Sequence, residues 1–171
     1  LDQLIEIAEI HSVKKGKSLI KMGEKIYYVD FLMKGIVRGF LDDEKGNEMT
    51  DCFVNKCGDM IMSIHGIEEY SSIGFEAIVD TTILRVPRSF ITKAIIQYRE
   101  LEHIYNKRLL CALEVHWSIK KSLYQCTAKE RYLWFQEEYR EIFPAIPLRY
   151  IASFLNIAPQ SLSRIRRELG E

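Results

Sequence analysis

The sequence predicts an α+β fold: an N-terminal antiparallel β-roll of jelly-roll type, then a long helix, then a C-terminal helical domain ending in a helix-turn-helix. Three changes of texture predict it. Up to Pro87 glycines cut the chain into short, alternating apolar runs. Residues 89–124 contain neither glycine nor proline, and from Ile146 onward two short amphipathic patterns flank a turn. The expected divisions are 1–98 for the roll with its flanking helices, 99–125 for the long helix and 126–171 for the last domain.

Within the roll, residues 17–21 form a strand candidate and Met22-Gly23-Glu24 a turn. Residues 28–33 are mostly apolar, Lys34-Gly35 breaks the run, and 36–41 resumes it with Arg38 interposed. A polar, glycine-bearing hairpin tip at 42–47 leads into a return strand at 48–54. Gly58-Asp59 marks a further turn, and strands at 72–79 and 82–86 complete the set before Pro87. Short strands with turns at such intervals fit a sandwich or barrel-like domain.

Helix-forming residues dominate the next stretch. Leu101, Tyr105, Arg108, Ala112, Val115, Ile119 and Ser122 recur at alternating spacings of four and three. At a helical rise of about 1.5 Å per residue, this heptad-like stripe is about 32 Å long. Leu109, Leu110, Leu113 and Trp117 lie on neighbouring faces, so the helix is apolar over more than one stripe. One face is expected to dock on the roll and another to meet a second copy, through Leu101, Tyr105, Arg108, Ala112, Val115 and Ile119.

At the C-terminal end, Ile151, Phe154 and Leu155 give a short helix one buried face, and small Ala152 allows a second helix to cross closely. Asn156 tolerates the left-handed conformation that stops a helix sharply, and Pro159 suits the first position of the next. Leu162, Ile165 and Leu169 bury one side of that helix. Gln160, Ser161, Ser163, Arg164, Arg166 and Arg167 occupy its other faces, where hydrogen-bond donors suit a DNA major groove.

The 171 residues, 47% hydrophobic and 28% charged, suffice for one or two domains with real cores. Formal net charge is zero, so nucleic-acid binding must depend on local charge. From Arg140 to Glu171 there are five arginines against three glutamates. No apolar stretch approaches the roughly 18 residues that span a bilayer, and no signal-peptide pattern is seen. A cytoplasmic protein without membrane partners is expected. Cys52, Cys57, Cys111 and Cys126 form no CxxC pair, and His11, His65, His103 and His116 are scattered singly. That pattern offers reduced thiols, no metal site and no paired histidines for a cupin-like oxygenase, so no enzyme is expected.

The order of roll, long helix and helix-turn-helix, with the segment TAKERYLWFQEEYREIFPAIPLRYIASFLNIAPQSLSRIRREL, resembles the Crp/Fnr family of bacterial transcription regulators. LIKMGE, KGIVRGF, DEKGNE and Gly58-Asp59 are similar to the family's roll in their order. The resemblance implies a homodimer on near-palindromic double-stranded DNA, half-sites roughly 34 Å apart, with RNA polymerase as a further partner. It casts Gln160, Ser161 and Arg164 as base-facing. Ser163, Arg166, Arg167 and, from the preceding helix, Arg149 or Tyr150 become phosphate contacts.

Two departures from the family pattern stand out. The residue before Pro159 is Ala158, where Ser or Thr is usual, which should weaken the helix start by about 1 kcal/mol. Cyclic-nucleotide-binding relatives follow a Gly-Glu turn with Arg-Ser-Ala or Arg-Thr-Ala. Here Gly58, Asp59 and Met60 precede Ser71, Ser72, Phe75 and Glu76, and no arginine or lysine occurs between Lys56 and Arg85. A buried phosphate needs a cation, so no cyclic AMP cofactor is expected, and Glu76 would repel an anion further. Phe53, Met60, Met62, Ile64 and Phe75 would line a pocket for a neutral molecule or simply fill the roll; His65 is the nearest haem-ligand candidate. The rival reading is a ligand-binding or interaction module with a vestigial helix-turn-helix.

Overall fold

The computed structural model describes residues 6–63 and 66–171. Eight strands come first: β1 (Glu9–Val13), β2 (Ser18–Ile20), β3 (Tyr28–Lys34), β4 (Val37–Asp42), β5 (Glu48–Val54), β6 (Met60–Ile61), β7 (Gly74–Ala77) and β8 (Thr81–Pro87). They form two four-stranded sheets, ordered β1-β8-β3-β6 and β2-β7-β4-β5, antiparallel at every pairing. This is the jelly-roll-like β-roll expected.

Alternation decides which side chains fill it. Leu32, Val37, Ile61, Ile73, Phe75 and Ile83 are buried together between the sheets, with Leu19, Ile20, Leu41, Cys52 and Val54 packed against them. Gly39 belongs to this interior, because a Cβ there would meet the Cys52 sulfur and the Ile73 and Phe75 side chains. Two strands lie beyond those read from the sequence, β1 and β6. Both are edge strands, β1 largely exposed and β6 only two residues long, so neither carries a strong apolar pattern. The strand expected at 72–79 shrinks to Gly74–Ala77, since Ser71 and Ser72 turn their hydroxyls to Ile73 O and Glu68.

Pro87 then starts helix α1 (Arg88–Gln97). Tyr98 is extended and breaks the glycine-free stretch in two, so α2 is a separate helix over Arg99–Gln125. Cys126 and Thr127, both extended, join it to α3 (Ala128–Glu138). The start of α3 is fixed by a capping box: Thr127 accepts from the Glu130 N–H, and the Glu130 carboxylate accepts from the Thr127 N–H at 2.7 Å. A single 3-10 turn at Phe143–Ala145 leads to α4 (Leu148–Phe154) and α5 (Pro159–Glu168).

A second core joins the two halves of the chain. Ile36, Phe53 and Ile78, from the outer face of sheet β2-β7-β4-β5, are buried with Tyr132, Phe135, Tyr139, Ile151, Phe154, Leu155, Leu162 and Ile165. Phe53 lies with its ring 5.4–5.9 Å from those of Phe135, Tyr139 and Phe154. This corrects the expectation that Phe53 lines the roll's interior: it faces outward, one strand position from inward Cys52. No helix among the described residues is long and apolar enough to cross a membrane.

Candidate nucleic-acid interface

Helices α4 and α5 meet through Ile151, Ala152, Leu162 and Ile165, all buried. Asn156 between them has φ +50°, the one positive φ at a non-glycine among the described residues. Its carbonyl and that of Leu155 would be left unsatisfied at the end of α4. The Arg131 guanidinium takes both: Nε donates to Leu155 O at 3.0 Å and Nη2 to Asn156 O at 3.4 Å. Its Nη1 donates to Cys126 O at 2.9 Å. One side chain thus ties the end of α2 to the turn before α5. No sequence pattern flagged it, because its acceptors are backbone carbonyls.

Helix α5 starts at Ala158 with no side-chain cap and Pro159 in the first turn. Gln160, Ser163, Arg164 and Arg167 are exposed along it, and Ser161 is half-buried. The Ser163 hydroxyl donates to Pro159 O at 3.0 Å, one turn back. Arg166 is half-buried and paired with Glu171 at 3.0 Å, which also accepts from Tyr132 and Gln136. Burial, then the Glu171 bond, pushes the Tyr132 hydroxyl up to about 12. Gln160, Arg164 and Arg167 therefore remain the unencumbered polar side chains of the helix.

Arg149 is exposed on α4, whereas Tyr150 is half-buried. The Tyr150 ring lies on the Arg38 guanidinium, 3.9 Å from its centroid, and Arg149 sits 4.7 Å from the same centroid. Arg149 Nη2 also donates to the Tyr150 hydroxyl at 2.9 Å. The expected phosphate contact at Tyr150 is thus engaged with the roll.

Among the described residues, several of the expected effector positions are engaged elsewhere. Phe75 is part of the filled interior, and Met60 is half-buried on β6. Glu76 points the other way, pairing with Arg38 at 2.7 Å on the outer face, so its expected repulsion of a pocket anion is corrected. Asp59, in the turn with Gly58, pairs with Arg108 of α2 at 2.8 Å. Ser71 is buried against its own loop. Ile64 and His65 lie outside the described residues. A cleft of about 190 Å³ opens elsewhere, beside Glu24, Lys25, Tyr28, Asp30 and Arg85, and is lined by none of the expected residues. Among the described residues no group of three or more His, Cys, Asp or Glu is gathered for a metal ion. Burial pushes the Cys52 thiol well above its usual range.

The expected dimer stripe also divides. The Tyr105 hydroxyl accepts from Ile67 N at 2.9 Å, and a Cβ on Gly66 (φ +86°) would collide with it. Ile119 packs against the shared core, and Arg108 is held by Asp59. Ala112 is half-buried, while Leu101 and Val115 are exposed together with Ile104, Leu110, Leu113 and Trp117. Part of that stripe therefore serves the chain's own roll and core, and the exposed apolar residues of α2 lie beside it.

No protein-family model matches the sequence, and no curated protein matches it. Solved structures do match. FixK2 from Bradyrhizobium japonicum superposes with a TM-score of 0.83 at 22% identity, over 96% of this chain and 85% of that one. A chain described as a Crp/Fnr-family transcriptional regulator, from Eubacterium rectale, gives 0.78 at 15% identity, over 99% and 81%. CLP of Xanthomonas campestris, described as a c-di-GMP-responsive global regulator, gives 0.79 at 9% identity, over 99% and 89%. The fold is that of the Crp/Fnr regulators. Both halves share it, since the matches run through the roll, α2 and the helix-turn-helix.

Proposed function

We propose that the chain is a homodimeric, sequence-specific DNA-binding regulator of transcription, cytoplasmic and without enzymatic activity. The observation that carries this reading is α5: a helix seated by Leu162 and Ile165 on α4, with Gln160, Arg164 and Arg167 turned to solvent. Gln matches adenine and Arg matches guanine bidentately, each worth about 1–3 kcal/mol of discrimination. Ser163, Arg149 and Arg167 serve as phosphate contacts that set register. The exposed apolar residues of α2 support a second copy as the occupant of that face, because an uncovered apolar helix of this length is costly in water. RNA polymerase is the further partner.

The effector pocket is altered in this reading, and cyclic AMP is not its ligand. Leu32, Val37, Ile61, Ile73, Phe75 and Ile83 pack together in the interior, Asp59 is taken by Arg108, and no arginine or lysine occurs between Lys56 and Arg85. The test is binding of the full chain to its own upstream DNA across a salt series, with and without cyclic AMP. Tight, salt-steep and sequence-selective binding that ignores the nucleotide supports the proposal. Binding that requires the nucleotide overturns the pocket reading. Weak, sequence-indifferent binding throughout returns the interaction-module reading.

A further inference from the structure

Arg38 interrupts an otherwise apolar strand, and a DNA-reading role for α5 leaves it unused. Its side chain is 1% exposed, although the strand alternation turns it to the outer face of the roll. Nη1 donates to Glu48 and to Glu76, both at 2.7 Å, and Nε donates to Thr50 at 2.9 Å. Helix α4 covers this cluster. Tyr150 lies flat on the guanidinium, and one turn along, Ser153 Oγ accepts from Thr50 N at 2.8 Å and donates to Glu48 O at 3.3 Å. Arg149, 4.7 Å from the centroid of the same ring, brings the charges of the cluster to two arginines against two glutamates.

The covalent joint supplies no such constraint. Cys126 and Thr127 are both extended, and two extended residues between helices act as a swivel unless side chains hold the parts. We infer that Arg38 is a positioning residue for DNA reading: through Tyr150 and the Thr50–Ser153 bond it seats α4 on the roll, fixing each recognition helix relative to its own roll and so setting the half-site spacing the dimer accepts. This rests on the DNA-reading proposal above. One inserted base pair moves a half-site by about 3.4 Å and turns it by roughly 35°, which a rigidly seated pair of helices cannot follow. Planarity matters here. A lysine would keep the charge but could neither stack under the ring nor hold two carboxylates and a hydroxyl in one plane.

The experiment uses the full chain and a duplex site selected by the wild type from random DNA, then rebuilt with one base pair inserted or removed at its centre. Wild type is expected to lose tenfold or more in affinity on the altered sites. Arg38→Gln, Arg38→Lys and Tyr150→Leu are expected to bind the selected site within a few-fold of wild type while the spacing penalty falls by about tenfold, with base preference and salt slope unchanged. Tyr150→Phe, which keeps the ring on Arg38, retains the penalty. If Arg38→Gln fails to fold by circular dichroism, Tyr150→Leu decides, since it leaves the ion pairs in place. An undiminished penalty in the variants overturns the inference and leaves the DNA-reading proposal standing. So does a Tyr150→Leu variant that weakens at every spacing with a shallower salt slope, the mark of a phosphate contact. A wild type that selects no site overturns both.

Discussion

The two faces of sheet β2-β7-β4-β5 are both buried, by different means. Inside, Val37, Phe75 and Ala77 meet the opposite sheet in an all-apolar contact closed by the roll's own topology. Outside, Ile36, Phe53 and Ile78 meet helices α3 and α4 in an aromatic cluster, and beside it Arg38, Thr50, Glu48 and Glu76 form a hydrogen-bonded network. The difference teaches which face holds the roll together and which one joins it to the helical domain. A largely apolar interior specifies a shape, whereas a mixed contact resembles the interfaces between domains. Its aromatic half supplies affinity and its ionic half supplies orientation.

The comparison is broken most severely by truncating one ring on each face. Phe53→Ala and Phe75→Ala should each cost about 3–5 kcal/mol. In urea, Phe53→Ala is expected to split unfolding into two transitions, because the helical domain loses its seat. Phe75→Ala should keep a single transition at lower midpoint. Identical profiles would show that the two faces are one cooperative core. Arg131→Met is next, at about 1.5–3 kcal/mol, since hydrogen bonds from a charged donor are lost and the carbonyls stay behind. Faster amide exchange at Ile157, just beyond the turn, with the roll unchanged, would localise that loss to the helical domain.

Ala158→Ser tests the outermost element and should stabilise α5 by about 1 kcal/mol, visible as a higher midpoint and slower exchange in its first turn. The smallest effect is expected from acid. Hydrogen bonds from the Thr127 backbone and hydroxyl hold the Glu130 carboxyl below its usual value of 4.5. A depressed folded value means that this support is complete above the usual carboxylate range and is lost as pH falls through the folded one. Exchange at the start of α3 should quicken there in the wild type and show no such step in Glu130→Gln, which has no carboxyl to titrate.

Local chemistry was legible in the sequence, and long-range burial was not. The helix-turn-helix could be read because Asn156 tolerates the left-handed conformation and Pro159 fixes its own φ, each a property of its own position. The capping box at Thr127 and Glu130 is a local T-x-x-E pattern too, and it is among the features the sequence reading passed over. Arg38 shows the limit. Alternation correctly turns it outward, and an outward arginine reads as solvated, yet a helix more than a hundred residues later covers it. Phe53 fails in the mirror sense: an aromatic residue on a strand suggests the interior, and its true partners are Phe135 and Phe154. Glu76 followed from its composition and missed its face, one residue from Phe75.

Arg131 touches only main-chain oxygens, at Cys126, Leu155 and Asn156. Every amino acid carries that acceptor, so the clamp places no demand on the side chains it grips. A change of side chain that the backbone and the core tolerate there leaves the grip intact, and the exposed surface of α5 can vary while the joint behind it stays the same. A lineage of such folds could diversify that surface with one arginine held constant.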